Sequence, residues 1–351
     1  MRYHSINQKL FVANRKKFVA KMLPGTLALF NSNDVLPTNA DGHLKLKQNS
    51  DLFYLSGIDQ EESILLLFPS SNEKAHREIL FVKETNETVA IWEGHKLTKD
   101  EARAVSGVQQ IFWLSEFNTV FNTLMCEAQG IYLNANEHIR AVVESQTRDA
   151  RFVEWCKERY PLHHYHRSAP LLHDLRAVKS TEEVSLIQNA CNITEKGFRR
   201  LLNFVRPGVW EFEIEAELLH EFVRNRSNGF AYTPIIASGF NSCVLHYIEN
   251  NQQCKEGDIL LLDVGAEYAN YNSDLTRCLP VNGKFTKRQR AVYNAVLRVM
   301  RAATQMLVPG NNISDYHRNV GKLMEEELIK LKLLRLSDVK KQDPAKPLYK
   351  K

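Results

Sequence analysis

The sequence predicts a two-domain α/β protein. Three observations point there. Short apolar runs of strand length alternate with helical periodicity through the first half, the pattern of a helix-flanked sheet. A polar, histidine-bearing segment at 161–170 interrupts that alternation. A fresh helix start follows at Ser180-Thr181-Glu182-Glu183, where hydroxyl and carboxylate sit at capping-box spacing.

In order, residues 8–22 carry apolar side chains at helical spacing and stop before Pro24-Gly25. Residues 26–30 read as a strand ended by Asn31-Ser32-Asn33-Asp34, and 63–68 and 78–82 as buried strands separated by a polar turn. A short helix over 98–105, a strand over 130–133 and a helix over 141–158 complete the first domain. In the second half, the capped helix runs toward Phe204 and a further helix covers 211–226. Strand-like pieces follow at 234–238, 243–247, 259–264 and 274–279. Thr286 caps a helix to about residue 307, and Ser314 is expected to cap the last one, to about residue 334.

Composition excludes several classes. Hydrophobic residues make up 44% and charged residues 25% of the 351 positions, an ordinary globular balance. Mean hydropathy is −0.36, and no apolar run is long enough to span a bilayer. Against 41 acidic side chains there are 46 basic ones, a net charge of +5. That is too weak and too dispersed to argue for nucleic acid. The first ten residues lack an apolar core followed by a small-residue cleavage site, so no secretory signal is expected. Six cysteines without a Cys-x-x-Cys pair read as reduced thiols of a cytoplasmic protein. Three histidines at 163, 164 and 166 find no further ligand nearby and read as linker or surface.

The chemically informative stretch is the apolar run 259–262 ending in Asp263-Val264-Gly265, with Asp274-Leu275-Thr276-Arg277 beyond it. A carboxylate closing an apolar strand needs a partner. A hairpin turning about Tyr268-Ala269 sets Asp263 directly opposite Asp274, and two carboxylates that close repel unless a proton or cation lies between them. Gly265 is expected to leave room there for a metal or substrate. Structural readings stand beside this one: Asp274 paired with Arg277, or Asp263 capping a turn. His246, placed in a strand, is either a satisfied core histidine or a catalyst. Cys243 three residues earlier would face the other way, which argues against a Cys–His nucleophilic pair.

These residues resemble the pita-bread metallopeptidases of the aminopeptidase P family. The resemblance rests on Leu262-Asp263-Val264-Gly265, the step to Asp274-Leu275-Thr276-Arg277, and Ser238-Gly239 through Leu245-His246-Tyr247. Upstream, residues 48–57, Ile91-Trp92-Glu93-Gly94 and the junction at 175–180 are also similar to that family. It implies a creatinase-like N-terminal α/β domain over 1–165, a linker over 166–178 and a pita-bread α+β catalytic domain over 179–351. The implied activity is metal-dependent removal of an N-terminal residue preceding proline, usually with two Mn²⁺ ions. Asp263 is then a ligand of one ion and Asp274 a bridge between both, with His246 beside the substrate. Tyr232 and Thr276 support the ligands or line the pocket. Trp92 is either a plain buried indole or part of a neighbouring subunit's pocket, which implies a homo-oligomer. The family's remaining ligands, a histidine and two glutamates, have no counterpart before Lys351. His317 and Glu325-Glu326-Glu327 read as solvated helix faces. The catalytic domain is therefore expected to be incomplete and the chain inactive as it stands. The alternative is a non-catalytic pita-bread module that binds peptides or a partner.

Overall fold

A computed structural model describes residues 2–140 and 142–350. They form two compact units. The first holds the residues up to Ala190 with Arg226–Asn228 and Glu267–Asn272. The second holds Cys191–Asn225, Gly229–Ala266 and the residues from Ser273 onward. The division falls inside a helix, later than the junction expected at 178/179.

The first unit is built on a six-stranded mixed sheet: β1 (Thr26–Asn31), β2 (Ile64–Leu67), β3 (Glu78–Val82), β4 (Gln110–Trp113), β5 (Gly130–Leu133) and β6 (His164–Arg167), in the order β4-β3-β2-β1-β5-β6. Every residue of β1 is buried because the sheet is covered on both faces. Ala28 and Phe30 point into one core with Leu65 and Leu67; Leu27 and Leu29 point into the other with Ile64 and Leu66. Helices α1 (Lys9–Val19), α2 (Ser50–Ser56), α4 (Lys99–Ser106) and α7 (Ala169–Ala177) supply Phe18, Leu55, Ala102 and Leu172 to the first core. Helices α5 (Phe117–Glu127) and α6 (Arg148–Arg159) supply Phe121, Leu124 and Cys156 to the second. A short exposed helix, α3 (Glu87–Glu93), precedes α4.

Three expectations for this unit are corrected. The histidine segment is not a linker but the edge strand β6, paired in parallel with β5. His164 is exposed and His163 and His166 are half-buried, as the surface reading expects. Residues 169–177 of the expected linker are helix α7. Backbone pairing holds the segment that polar composition had suggested was a connection. The helix expected over 141–158 starts only at Arg148, where the Thr147 hydroxyl accepts from Ala150 N–H; Ala141 lies outside the described residues.

Helix α8 (Thr181–Phe204) opens with the expected capping box: Ser180 N–H donates to Glu183 and Glu183 N–H to Ser180 Oγ. Then come α9 (Glu211–Arg224), β7 (Gly229–Phe230), β8 (Ile235–Ser238), β9 (Ile259–Val264), β10 (Ala266–Tyr268), β11 (Tyr271–Asn272) and β12 (Leu275–Pro280). β12, β9 and β8 form an antiparallel sheet with β9 central. Three helices end the chain: α10 (Lys287–Gln305), α11 (Ile313–Lys330) and the four-residue α12 (Leu336–Val339). α11 is capped by Asn312, whose side chain accepts from Ser314 N–H, so the cap lies two residues before the expected Ser314. Glu327 is not on a solvated face: it is buried against α10, paired with Arg298 and Lys330, which draw its carboxyl down to about 2. Among the described residues, no helix is long and apolar enough to cross a membrane.

Candidate active site

The hairpin carrying the two aspartates turns one residue later than its sequence suggests. Ala269 and Asn270 both have positive φ, 54° and 63°, as a two-residue type I′ turn requires. Glu267 therefore pairs with Asn272, and further down the hairpin Asp263 pairs with Thr276 and Val264 with Leu275. Asp263 and Asp274 are thus diagonal neighbours, not directly opposed. A displacement of two residues keeps the face unchanged, so both still lie on the side that carries Thr276.

Gly265 is required, but for a different reason from the one expected. A Cβ at this position would lie 2.0 Å from the Ser273 carbonyl oxygen and 3.2 Å from the Tyr232 ring. The space is filled by the crossing backbone and the tyrosine. Buried hydroxyls fix the crossing: Thr194 Oγ1 and Ser273 Oγ lie 2.6 Å apart, and both accept from Ala266 N–H.

Tyr232 lies between β7 and β8, where Ala231 N–H donates to the Gly265 carbonyl at 2.8 Å. Its hydroxyl is 2.7 Å from Asp263 Oδ1 and 3.0 Å from Asp274 Oδ1. A phenol has one proton to donate, so two carboxylates share one donor. Burial and then the Asp263 bond push the Tyr232 hydroxyl well above its ordinary value, so it stays protonated. Arg277 turns to the Thr276 carbonyl at 2.8 Å and, among the described residues, forms no ion pair with Asp274. The alternative of a simple Asp274–Arg277 pair is thereby set aside. Three oxygens converge on one point, and among the described residues no cationic side chain joins them.

That donor chemistry suits a hard divalent ion. Asp263 and Asp274 fit one edge of such a site, and they do not complete a centre for two ions at about five or six ligands each. Among the described residues, no group of three or more His, Cys, Asp or Glu side chains is placed to hold a metal.

His246 is not in a strand. Residues 239–243 form a 3₁₀ turn, and His246 follows in an exposed turn. The apolar triplet before it had suggested strand alternation, yet Leu245 is 89% exposed. Trp92 is no buried indole either: it is 84% exposed on α3, at a polar cavity of about 680 Å³ that Lys83, Lys96 and Arg148 also line. Thr276 is brought to the cross-strand position of Asp263. His317 is exposed on α11.

Comparison with known proteins bears on this geometry. Residues 11–132 match the aminopeptidase P N-terminal domain and residues 185–342 match metallopeptidase family M24. The Xaa-Pro aminopeptidase of Escherichia coli is 32% identical over 344 residues, covering 94% of this chain and 75% of that protein. The chain belongs to the aminopeptidase P family. The Haemophilus influenzae Xaa-Pro aminopeptidase is 31% identical, covering 93% of this chain and 73% of its own length. Among solved structures, a putative aminopeptidase P from Bacillus anthracis superposes with a TM-score of 0.88 at 26% identity, covering 96% of this chain and 80% of that one. Escherichia coli aminopeptidase P in complex with substrate superposes at 0.82 and 31% identity, covering 93% and 74%. The aminopeptidase P assignment makes this a two-part metallopeptidase scaffold, with an N-terminal α/β domain and a pita-bread domain. Its family binds divalent metal.

One feature escaped sequence reasoning. Glu211 is fully buried and bonded by four donors. In the sequence it stands beside Glu213 and Glu215 with nothing to single it out.

Proposed function

We propose that this protein carries the scaffold and part of the site for Xaa-Pro aminopeptidase chemistry: hydrolysis of the bond between an N-terminal residue and a following proline, in peptides that have proline second. The observation that carries the reading is the convergence of Asp263 and Asp274 on the single Tyr232 hydroxyl. In this reading the two carboxylates hold a divalent ion, with Mn²⁺ proposed as the physiological metal. When bound, such an ion polarises a carbonyl and depresses the pKa of water. Tyr232 keeps the two carboxylates turned to the same point. Thr276 supports Asp263 from the facing strand. His246, free in its turn, hydrogen-bonds the peptide and the oxyanion that develops on the scissile carbonyl. Trp92 is proposed to line a pocket in a homo-oligomer, its exposure leaving the indole available. A cytoplasmic setting is proposed from the sparse cysteine usage.

Because two carboxylates do not suffice for two ions, Mn²⁺-dependent release from an Xaa-Pro dipeptide is expected to be unmeasurable with these 351 residues alone. A chimaera adding the unmatched quarter of the Escherichia coli relative is expected to turn over, and to stop when Asp263→Asn is introduced. Equal release by the unmodified chain, or undiminished release by the substituted chimaera, contradicts the reading.

A further inference from the structure

Glu211 is the first residue of α9 and has no solvent exposure. Its Oε1 accepts from the Ser238 N–H at 2.7 Å and the Ser238 hydroxyl at 2.8 Å. Its Oε2 accepts from the Tyr247 hydroxyl at 2.7 Å and the Gln252 N–H at 2.9 Å. Four donors saturate the carboxylate. Burial, followed by the bond to Glu211, pushes the Tyr247 hydroxyl up to about 12.

The position of these donors along the chain gives the arrangement its meaning. Ser238 is the last residue of β8, and Tyr247 directly follows His246. One carboxylate grips both ends of the loop that carries the imidazole. Inside the loop the bonds are local: Ser242 Oγ donates to the Gly239 carbonyl and Val244 N–H to the Asn241 carbonyl. Phe240 and Leu245 project outward, 85% and 89% exposed, and give the loop little apolar anchorage. Its placement therefore depends on its two ends.

We propose that Glu211 is a positioning residue for His246, fixing the imidazole by clamping Ser238 and Tyr247 without itself touching substrate. The proposal rests on the substrate-side reading of His246.

The test compares Glu211→Gln, Tyr247→Phe, Ser238→Ala and Ser238→Thr in the full chain, by amide hydrogen exchange and by the NMR resonance of the His246 imidazole. In Glu211→Gln the amides of 239–248 are expected to exchange about tenfold faster while β9 and β12 keep their protection, and the imidazole resonance to shift. Tyr247→Phe and Ser238→Ala give smaller changes of the same kind. Ser238→Thr keeps the hydroxyl and restores the wild-type pattern. Unchanged loop exchange, or equal loss of protection in loop and sheet, overturns the proposal. If Glu211→Gln does not fold, the contrast between Ser238→Ala and Ser238→Thr decides the same question. The functional reading is tested separately: His246→Ala in the active chimaera is expected to lower turnover. Unchanged turnover there withdraws the positioning role even if the loop signature is found.

Discussion

Two carboxylate environments in the second unit differ in proton supply. Glu211 is one carboxylate with four donors, fully buried. Asp263 and Asp274 are two carboxylates sharing one hydroxyl, half-buried and exposed respectively. A saturated buried carboxylate has no capacity left for a ligand and serves to hold chain segments together. An undersupplied pair keeps free lone pairs aimed at one point, which is costly unless a cation or proton arrives. The difference separates a structural acid from a binding acid without reference to any relative. In the first unit, Asp149 is intermediate, a buried carboxylate bonded by the amides of Asn31 and Asn49.

Removing each group should give effects in that order. Glu211→Ala leaves the Ser238 hydroxyl and two backbone N–H groups without this acceptor and the Tyr247 hydroxyl with only its longer bond to Asn251, and is expected to cost on the order of 3–5 kcal/mol. Urea unfolding should show a lower midpoint at unchanged slope; a loss below about 1 kcal/mol would mean that the four bonds contribute little.

Asp149 gives a pH signature. Burial, opposed by the Asn31 bond, raises its pKa from 3.8 to about 6. Its folded form therefore holds a proton after the unfolded form has released it. The stability it contributes is complete below about pH 4 and is lost as pH rises to about 6, on the order of 2–3 kcal/mol. Asp149→Asn should flatten that window in unfolding measured from pH 3.5 to 7, and an unaltered slope would contradict the assignment.

Asp274→Asn relieves a like-charge contact and is expected to stabilise the metal-free protein by about 0.5–1 kcal/mol at neutral pH. Destabilisation instead would mean that the pair is already neutralised. The smallest effect belongs to Tyr232→Phe, within about 1 kcal/mol, because both aspartates retain access to water. A loss comparable to that of Glu211→Ala would erase the distinction between the two environments.

How much of this was legible follows the range of each interaction. The caps at Ser180 and Thr286 are contacts between residues three apart, and both stand as read. Strands β1, β2, β3 and β5 were legible because they are mostly apolar runs, whereas β6 was not, its His164-Tyr165-His166-Arg167 being polar. The hairpin register was not, since no glycine marks the turn and Ala269 adopts a left-handed conformation that its side chain does not announce. The face of the aspartate pair survived because the error was two residues and the side-chain period is two. His246 was misplaced because an apolar triplet resembles strand alternation even where its side chains face water. Glu327 was misread because its partner Arg298 lies on another helix, beyond any local pattern. Glu211 was invisible for the same reason, its donors lying 27 to 41 residues away.

The most direct test of the central claim is a calorimetric Mn²⁺ titration of the wild-type chain beside Asp263→Asn and Asp274→Asn. Heat of binding in the wild type, lost in both variants while Glu211→Gln retains it, is the predicted result. Superimposable curves for all four proteins would contradict it.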